Sequence, residues 1–80
     1  MKDELREILF KDLLEILDKA GLTKEICQKS KKLYQMRTIL INKYIYEMSR
    51  EETCAELDFI SLRTYNNRLN DGLKRIRKYL

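Results

Sequence analysis

The sequence has no histidine, no proline and no tryptophan, and its only glycines are Gly21 and Gly72. Without histidine, the usual general base near neutral pH is missing. Two isolated glycines cannot build a Gly-rich phosphate loop. The only cysteines, Cys27 and Cys54, stand far apart, with no Cys or His partner at metal-ligand spacing. Each is expected to be a small buried apolar residue. Spacing alone leaves a disulfide open, and a reducing compartment argues against one. The expectation is therefore a protein that is not an enzyme and takes no metal and no cofactor. Long apolar runs are missing too. The longest stretch free of charge is Thr38 to Asn42, against roughly 18 residues for a membrane-spanning helix. The opening Met1-Lys2-Asp3-Glu4 lacks the basic-then-apolar order of a signal peptide. A soluble cytoplasmic protein with no membrane partner is expected.

What is present is a chain of 80 residues, 44% hydrophobic and 38% charged. That is room for one small domain, too apolar for a disordered tail. Charge is unevenly spread. Residues 1–22 carry −2, residues 23–48 carry +4, residues 49–60 carry −3 and residues 61–80 carry +5. A basic C-terminal segment of this density suits a polyanion. It equally suits a solvated helix whose basic end complements the helix dipole.

The whole chain reads helical, with no sustained period-two alternation and no β-turn dipeptides. A single all-α domain of four to five helices follows: an N-terminal amphipathic helix in 1–22, a central helix or helix pair in 23–48, and a C-terminal pair in 49–80. The first helix is expected from about Asp3 to Lys19. Asp3, Glu4 and Glu7 favour its positive end, and Gly21 suits a left-handed cap. Leu5, Ile8, Leu9, Leu13, Ile16, Leu17 and Ala20 form its stripe, widened by Phe10 and Leu14. So wide a stripe serves internal packing, a homodimer through this helix, or docking on another protein.

Thr23 can cap the next helix. Ile26, Leu33 and Leu40, and likewise Cys27, Tyr34, Ile41 and Met48, recur every seven residues. That predicts one helix to about Glu47, or two with a break near Gln35. Lys29, Lys31 and Lys32 read as a solvated patch that could also touch phosphate. Ser49 with Glu52 three residues on is a capping box, opening a short helix from Arg50 to about Leu57. Asp58-Phe59-Ile60 make a brief connection. Ser61 then caps a last helix with the stripe Leu62, Tyr65, Leu69, Leu73, Ile76 and Leu80. Gly72 inside it costs about 1 kcal/mol against Ala and suits the close approach of another helix. Tyr65 is expected in the core.

A short capped helix, a tight connection and a longer basic helix make a helix-turn-helix pattern. Cys54 and Ala55 are the small residues expected where its helices cross. The stretch Arg37-Thr38-Ile39-Leu40-Ile41-Asn42-Lys43-Tyr44-Ile45-Tyr46-Glu47-Met48-Ser49-Arg50-Glu51-Glu52-Thr53-Cys54-Ala55-Glu56-Leu57 resembles the start of sigma factor region 4. The likeness continues through Ser61, Thr64, Tyr65, Arg68, Leu69, Gly72, Leu73 and Ile76, so it covers about residues 37–80. It is also close to the small phage transcription activators of the RinA and ArpU type. Three positions depart from the pattern: Glu47 and Asp58 stand where that family turns on Gly, and Leu62 where Arg commonly follows the Ser cap. Ile60 lengthens the second turn by one residue.

The resemblance implies a sequence-specific DNA-binding transcription regulator of phage or mobile-element type. Double-stranded DNA is the implied partner; a single domain this small would bind it weakly alone, so a dimer or an RNA polymerase contact is expected as well, and the apolar first helix could supply either. Carried over by position, Arg63, Asn66, Asn67 and Asn70 would read bases, since Arg pairs bidentately with guanine and Asn with adenine. Thr64, Arg68, Lys74 and Arg75 would hold phosphates, with Arg77 and Lys78 adding backbone affinity or solubility. Three Asn in five residues are poor helix formers, and base reading is one reason to place them on an exposed face. The alternative is a sigma-like interaction module, an adaptor or inhibitor with little DNA reading of its own.

Overall fold

The structure, a computed structural model, describes residues 5–80. Among them are five helices: α1 (Phe10–Lys19), α2 (Lys24–Lys29), α3 (Lys31–Tyr44), α4 (Arg50–Glu56) and α5 (Leu62–Arg77). Four of the five begin at a hydroxyl side chain that accepts a hydrogen bond from the backbone N–H three residues on. Thr23, Ser30, Ser49 and Ser61 do so for Ile26, Leu33, Glu52 and Thr64, answering N–H groups that a helix start leaves open. The capping box at α4 is complete: the Ser49 N–H donates to Glu52 Oε1 (3.2 Å) and the Glu52 N–H to Ser49 Oγ (3.1 Å). At the far end of α1, Gly21 takes φ +78°. Its N–H donates to the Asp18 carbonyl and that of Leu22 to the Leu17 carbonyl, the paired bonds of a Schellman cap.

The first helix is shorter than its apolar stripe suggests. Asp3 and Glu4 lie outside the described residues. Residues 5–7 form a turn, closed by the Ile8 N–H on the Leu5 carbonyl (3.2 Å), and the helix begins only at Phe10. The turn carries Leu5 into the core. Burying one Leu is worth about 1.5–3 kcal/mol, against a few tenths for each residue's helix preference. Leu9 and Phe10 consequently leave the stripe and face outward.

The central segment is a helix pair, and its break lies at Ser30 rather than near Gln35. Ser30 is extended (φ −138°, ψ +114°), ending α2 and capping α3 at once. The seven-residue repeats run across this break and so describe no single face. Cys27, Leu40 and Ile41 are buried, while Ile26 and Tyr34 are exposed. α3 ends at Tyr44, not Glu47, where the backbone turns left-handed (φ +53°).

α3 is the axle of the domain. Its buried residues Met36, Leu40, Ile41 and Tyr44 join Leu5, Leu13, Leu17, Leu22, Cys27 and Ile76 in one cluster. Ile39 joins Cys54, Leu57 and Tyr65 in a second, between α3, α4 and α5. Leu69 packs against both. Gly72 sets how closely α5 lies on α3: a Cβ there would stand 3.0 Å from Leu40 Cδ1. Cys27 and Cys54 are buried free thiols, and Tyr65 is in the core. The crossing of α4 differs from expectation in one residue. Ala55 is exposed, and Thr53 lies buried beside Cys54.

Candidate nucleic-acid interface

α4 and α5 are locked to α3 by two polar links that join distant parts of the chain. Asn42 Nδ2 on α3 donates to Glu56 Oε2 (3.2 Å) and Thr53 Oγ1 (3.5 Å) on α4. Arg68 Nε on α5 donates to Gln35 Oε1 on α3 (3.0 Å). Gln35, Asn42 and Thr53 are all buried. A buried polar group left unpaired costs about 1–3 kcal/mol, so these pairs favour one relative placement of the three helices. Between α4 and α5 the chain reverses through Asp58 (φ +63°) and Phe59 (φ +60°), and Ile60 returns toward the second cluster. Asp tolerates left-handed backbone. Phe does so at a cost of about 1–3 kcal/mol.

Tyr65, Gly72 and Ile76 turn α5's inner face into the protein. On the outer side, Arg63, Asn67, Asn70 and Lys74 follow at steps of four, three and four residues, which places them in one row along a helix. Asn66 lies at the edge of that row. Arg63, Asn66, Asn67 and Asn70 are all exposed, and among the described residues no hydrogen bond or ion pair engages their side chains. The only acid in α5, Asp71, lies outside this row, 3.9 Å from Lys32 Nζ. The face is thus cationic, rich in amide donors and acceptors, and free of carboxylates.

The four residues expected to touch phosphate divide. Lys74 is exposed on the outer face. Thr64 shares a hydrogen bond with Ser61 (3.0 Å between hydroxyl oxygens) at the start of α5. Arg68 reaches inward to Gln35, and Arg75 Nη1 donates to the Ala20 carbonyl at the end of α1 (3.4 Å). Thr64, Arg68 and Arg75 therefore all make bonds within the protein. The partners Gln35 and Asn42 carry little signal in the sequence, being two uncharged polar residues seven apart on the buried side of α3. Sequence reasoning also missed the exposure of the turn. Phe59 is 84% exposed and Leu62, the first residue of α5, is 43% exposed rather than packed.

A second surface feature lies at α1. Leu9 (67% exposed), Phe10 (43%) and Tyr46 (60%) are large, apolar and outward-facing. The Phe10 and Tyr46 rings sit 6.2 Å apart at a tilt of 53°, so residues distant in sequence form one patch.

Among the described residues no helix is long and apolar enough to cross a membrane, and no group of Cys, Asp and Glu is placed to hold a metal ion. Comparison of the chain with protein-family models, with curated proteins and with solved structures gives no match.

Proposed function

We propose that α4, the Asp58–Ile60 connection and α5 act as a helix-turn-helix that binds double-stranded DNA, in a transcription regulator of phage or mobile-element type, not an enzyme. The observation that carries this reading is the outer face of α5. Arg63, Asn66, Asn67 and Asn70 stand exposed and unengaged on a helix whose other side is fixed to the core. Arg and Asn are the side chains that pair bidentately with guanine and adenine in the major groove. Preorganisation on a rigid helix limits the cost of ordering them on binding.

The likeness to sigma factor region 4 gains support from the backbone. Glu47 and Asp58 occupy the positions where that family carries Gly, and both are left-handed here. The acidity of α4 would repel phosphates, but two of its three carboxylates are spent inside the protein, Glu52 in the capping box and Glu56 on Asn42. Lys74, with Arg77 and Lys78 beyond it, supplies backbone attraction. Arg68 and Arg75 serve first to hold α5 in place.

The test is selection from a random duplex pool at two salt concentrations, with Arg63→Ala/Asn66→Ala as control. An enriched motif is expected, lost in the double variant at a cost of about 1–3 kcal/mol per base contact. Lys74→Ala is expected to lower the salt slope by about one phosphate. Arg68→Ala should instead lower stability and leave the slope near its wild-type value. Weak salt-sensitive binding with no motif, unchanged in the double variant, would sink the sequence-specific reading.

The patch of Leu9, Phe10 and Tyr46 favours a second role, contact with a protein. A domain this small touches few phosphates, so a second copy or a polymerase surface would supply the missing affinity. If DNA binding is absent altogether, this patch is where a sigma-like adaptor or inhibitor would act.

A further inference from the structure

The DNA reading leaves two exposed apolar side chains unexplained at the end of α5 that would enter a groove. Phe59 is held in a left-handed conformation that bulky residues rarely adopt, yet its ring is 84% exposed and gains little from the core. Strain kept without a packing reward is the kind found where a side chain must be presented outward. Three residues later Leu62, 43% exposed, opens α5 directly after the Ser61 cap. Leu62 precedes Asn66 by one helical turn and Tyr65 and Leu69 by three and seven residues, so it stands at the margin where the core stripe meets the Asn and Arg set. Asp58 adjoins Phe59 in the turn and repels phosphate, which disfavours a DNA backbone contact at this spot.

In the major groove the apolar feature of a base edge is the 5-methyl group of thymine. We propose that Leu62 and Phe59 form an apolar seat for a thymine methyl beside the bases read by Arg63 and Asn66, so that thymine is specified there by hydrophobic contact. The inference rests on the DNA reading of α5 and adds the identity of one base and the residues that select it.

The test takes a duplex enriched from the random pool and replaces each thymine in turn by deoxyuridine, which pairs alike and lacks the methyl. Binding is measured by fluorescence anisotropy for the wild type and for Leu62→Ala/Phe59→Ala. Phe59 is largely exposed and Leu62 partly so, and the double variant should stay folded with a melting temperature within a few degrees of the wild type, about the effect of a small loss of packing. For the wild type, one position should bind about three- to fivefold more weakly as uracil, the worth of one desolvated methyl group. The double variant should bind the thymine and uracil duplexes equally at that position. A wild type indifferent to uracil at every position overturns the seat, as does a double variant with undiminished sensitivity; either leaves the DNA reading intact. Failure of the pool to enrich any motif appears earlier and overturns both.

Discussion

Tyr65 sits 1% exposed in the cluster that joins α3, α4 and α5, beside Ile39, Cys54 and Leu57. Burial pushes its phenol pKa above the ordinary 10.0, and repulsion from the Cys54 thiolate, once that forms, adds to the rise. Burial likewise raises Cys27 and Cys54 above 9.0, against opposing attractions from Arg37 and Arg75 at Cys27 and from Arg50 at Cys54. All three are neutral when protonated, so the folded state holds these protons more tightly than the unfolded chain does. Their contribution to stability is complete below about pH 9 and is lost as pH rises through 9 and 10 and the unfolded chain ionises first. Urea unfolding midpoints should therefore be flat in this respect from pH 7 to 8.5 and fall steadily above pH 9. Tyr65→Phe removes the ionisation but keeps the ring. It should be near neutral at pH 7 and lose less stability than the wild type between pH 9 and 10.5. Equal alkaline slopes for the two proteins would show that Tyr65 does not drive the loss.

The α3–α5 contact decides how α5 is presented. Gly72 pulls in two directions. Replacing it by Ala would gain about 1 kcal/mol of helix propensity. The new Cβ would also stand 3.0 Å from Leu40 Cδ1, 3.5 Å from Leu40 Cγ and 3.6 Å from Met36 Cβ. Leu40 is fully buried and Met36 nearly so, which leaves little room to move, and overpacking typically costs about 1–3 kcal/mol. The expected result for Gly72→Ala is a net loss of about 1 kcal/mol, a fall of roughly 4–8 °C in Tm for a domain this small. A rise in Tm would mean that Leu40 yields and propensity wins. The same contact explains what the sequence could and could not disclose. Caps at Thr23, Ser49 and Ser61 were legible because their physics spans three residues. The cap at Ser30 was obscured by a seven-residue repeat that runs through it. The late start of α1 depends on Leu5 reaching a core built from residues far along the chain. For the candidate site, helical spacing alone grouped Arg63, Asn67 and Asn70 on one side. The inward bonds of Arg68 to Gln35 and Arg75 to Ala20 cross 33 and 55 residues of sequence, and no local pattern encodes them.

Apart from α5, the domain carries a second exposed surface, at the α1 end. Leu9, Phe10 and Tyr46 expose apolar surface in one patch, and Phe10 touches Tyr46 across the α1 and α3–α4 regions. Clustered apolar side chains on a surface mark a place where another surface can bind. A two-fold axis through the patch would place Phe10 and Tyr46 of one copy against those of another, as an isologous interface requires. It would also join two α5 helices in one particle, doubling the phosphate contacts and reading two half-sites. Sedimentation equilibrium should then give twice the 9.7 kDa chain mass at protein concentrations on the order of 100 µM, a range suited to a patch well below the standard interface size. Phe10→Ser/Tyr46→Ser should remain folded, because both side chains are exposed, and should sediment as a monomer. In the same variant, affinity for a palindromic site should fall steeply while affinity for a single half-site is unchanged. A wild type that stays monomeric across the range would remove the second copy as the occupant, and the patch would then fall to a different protein surface.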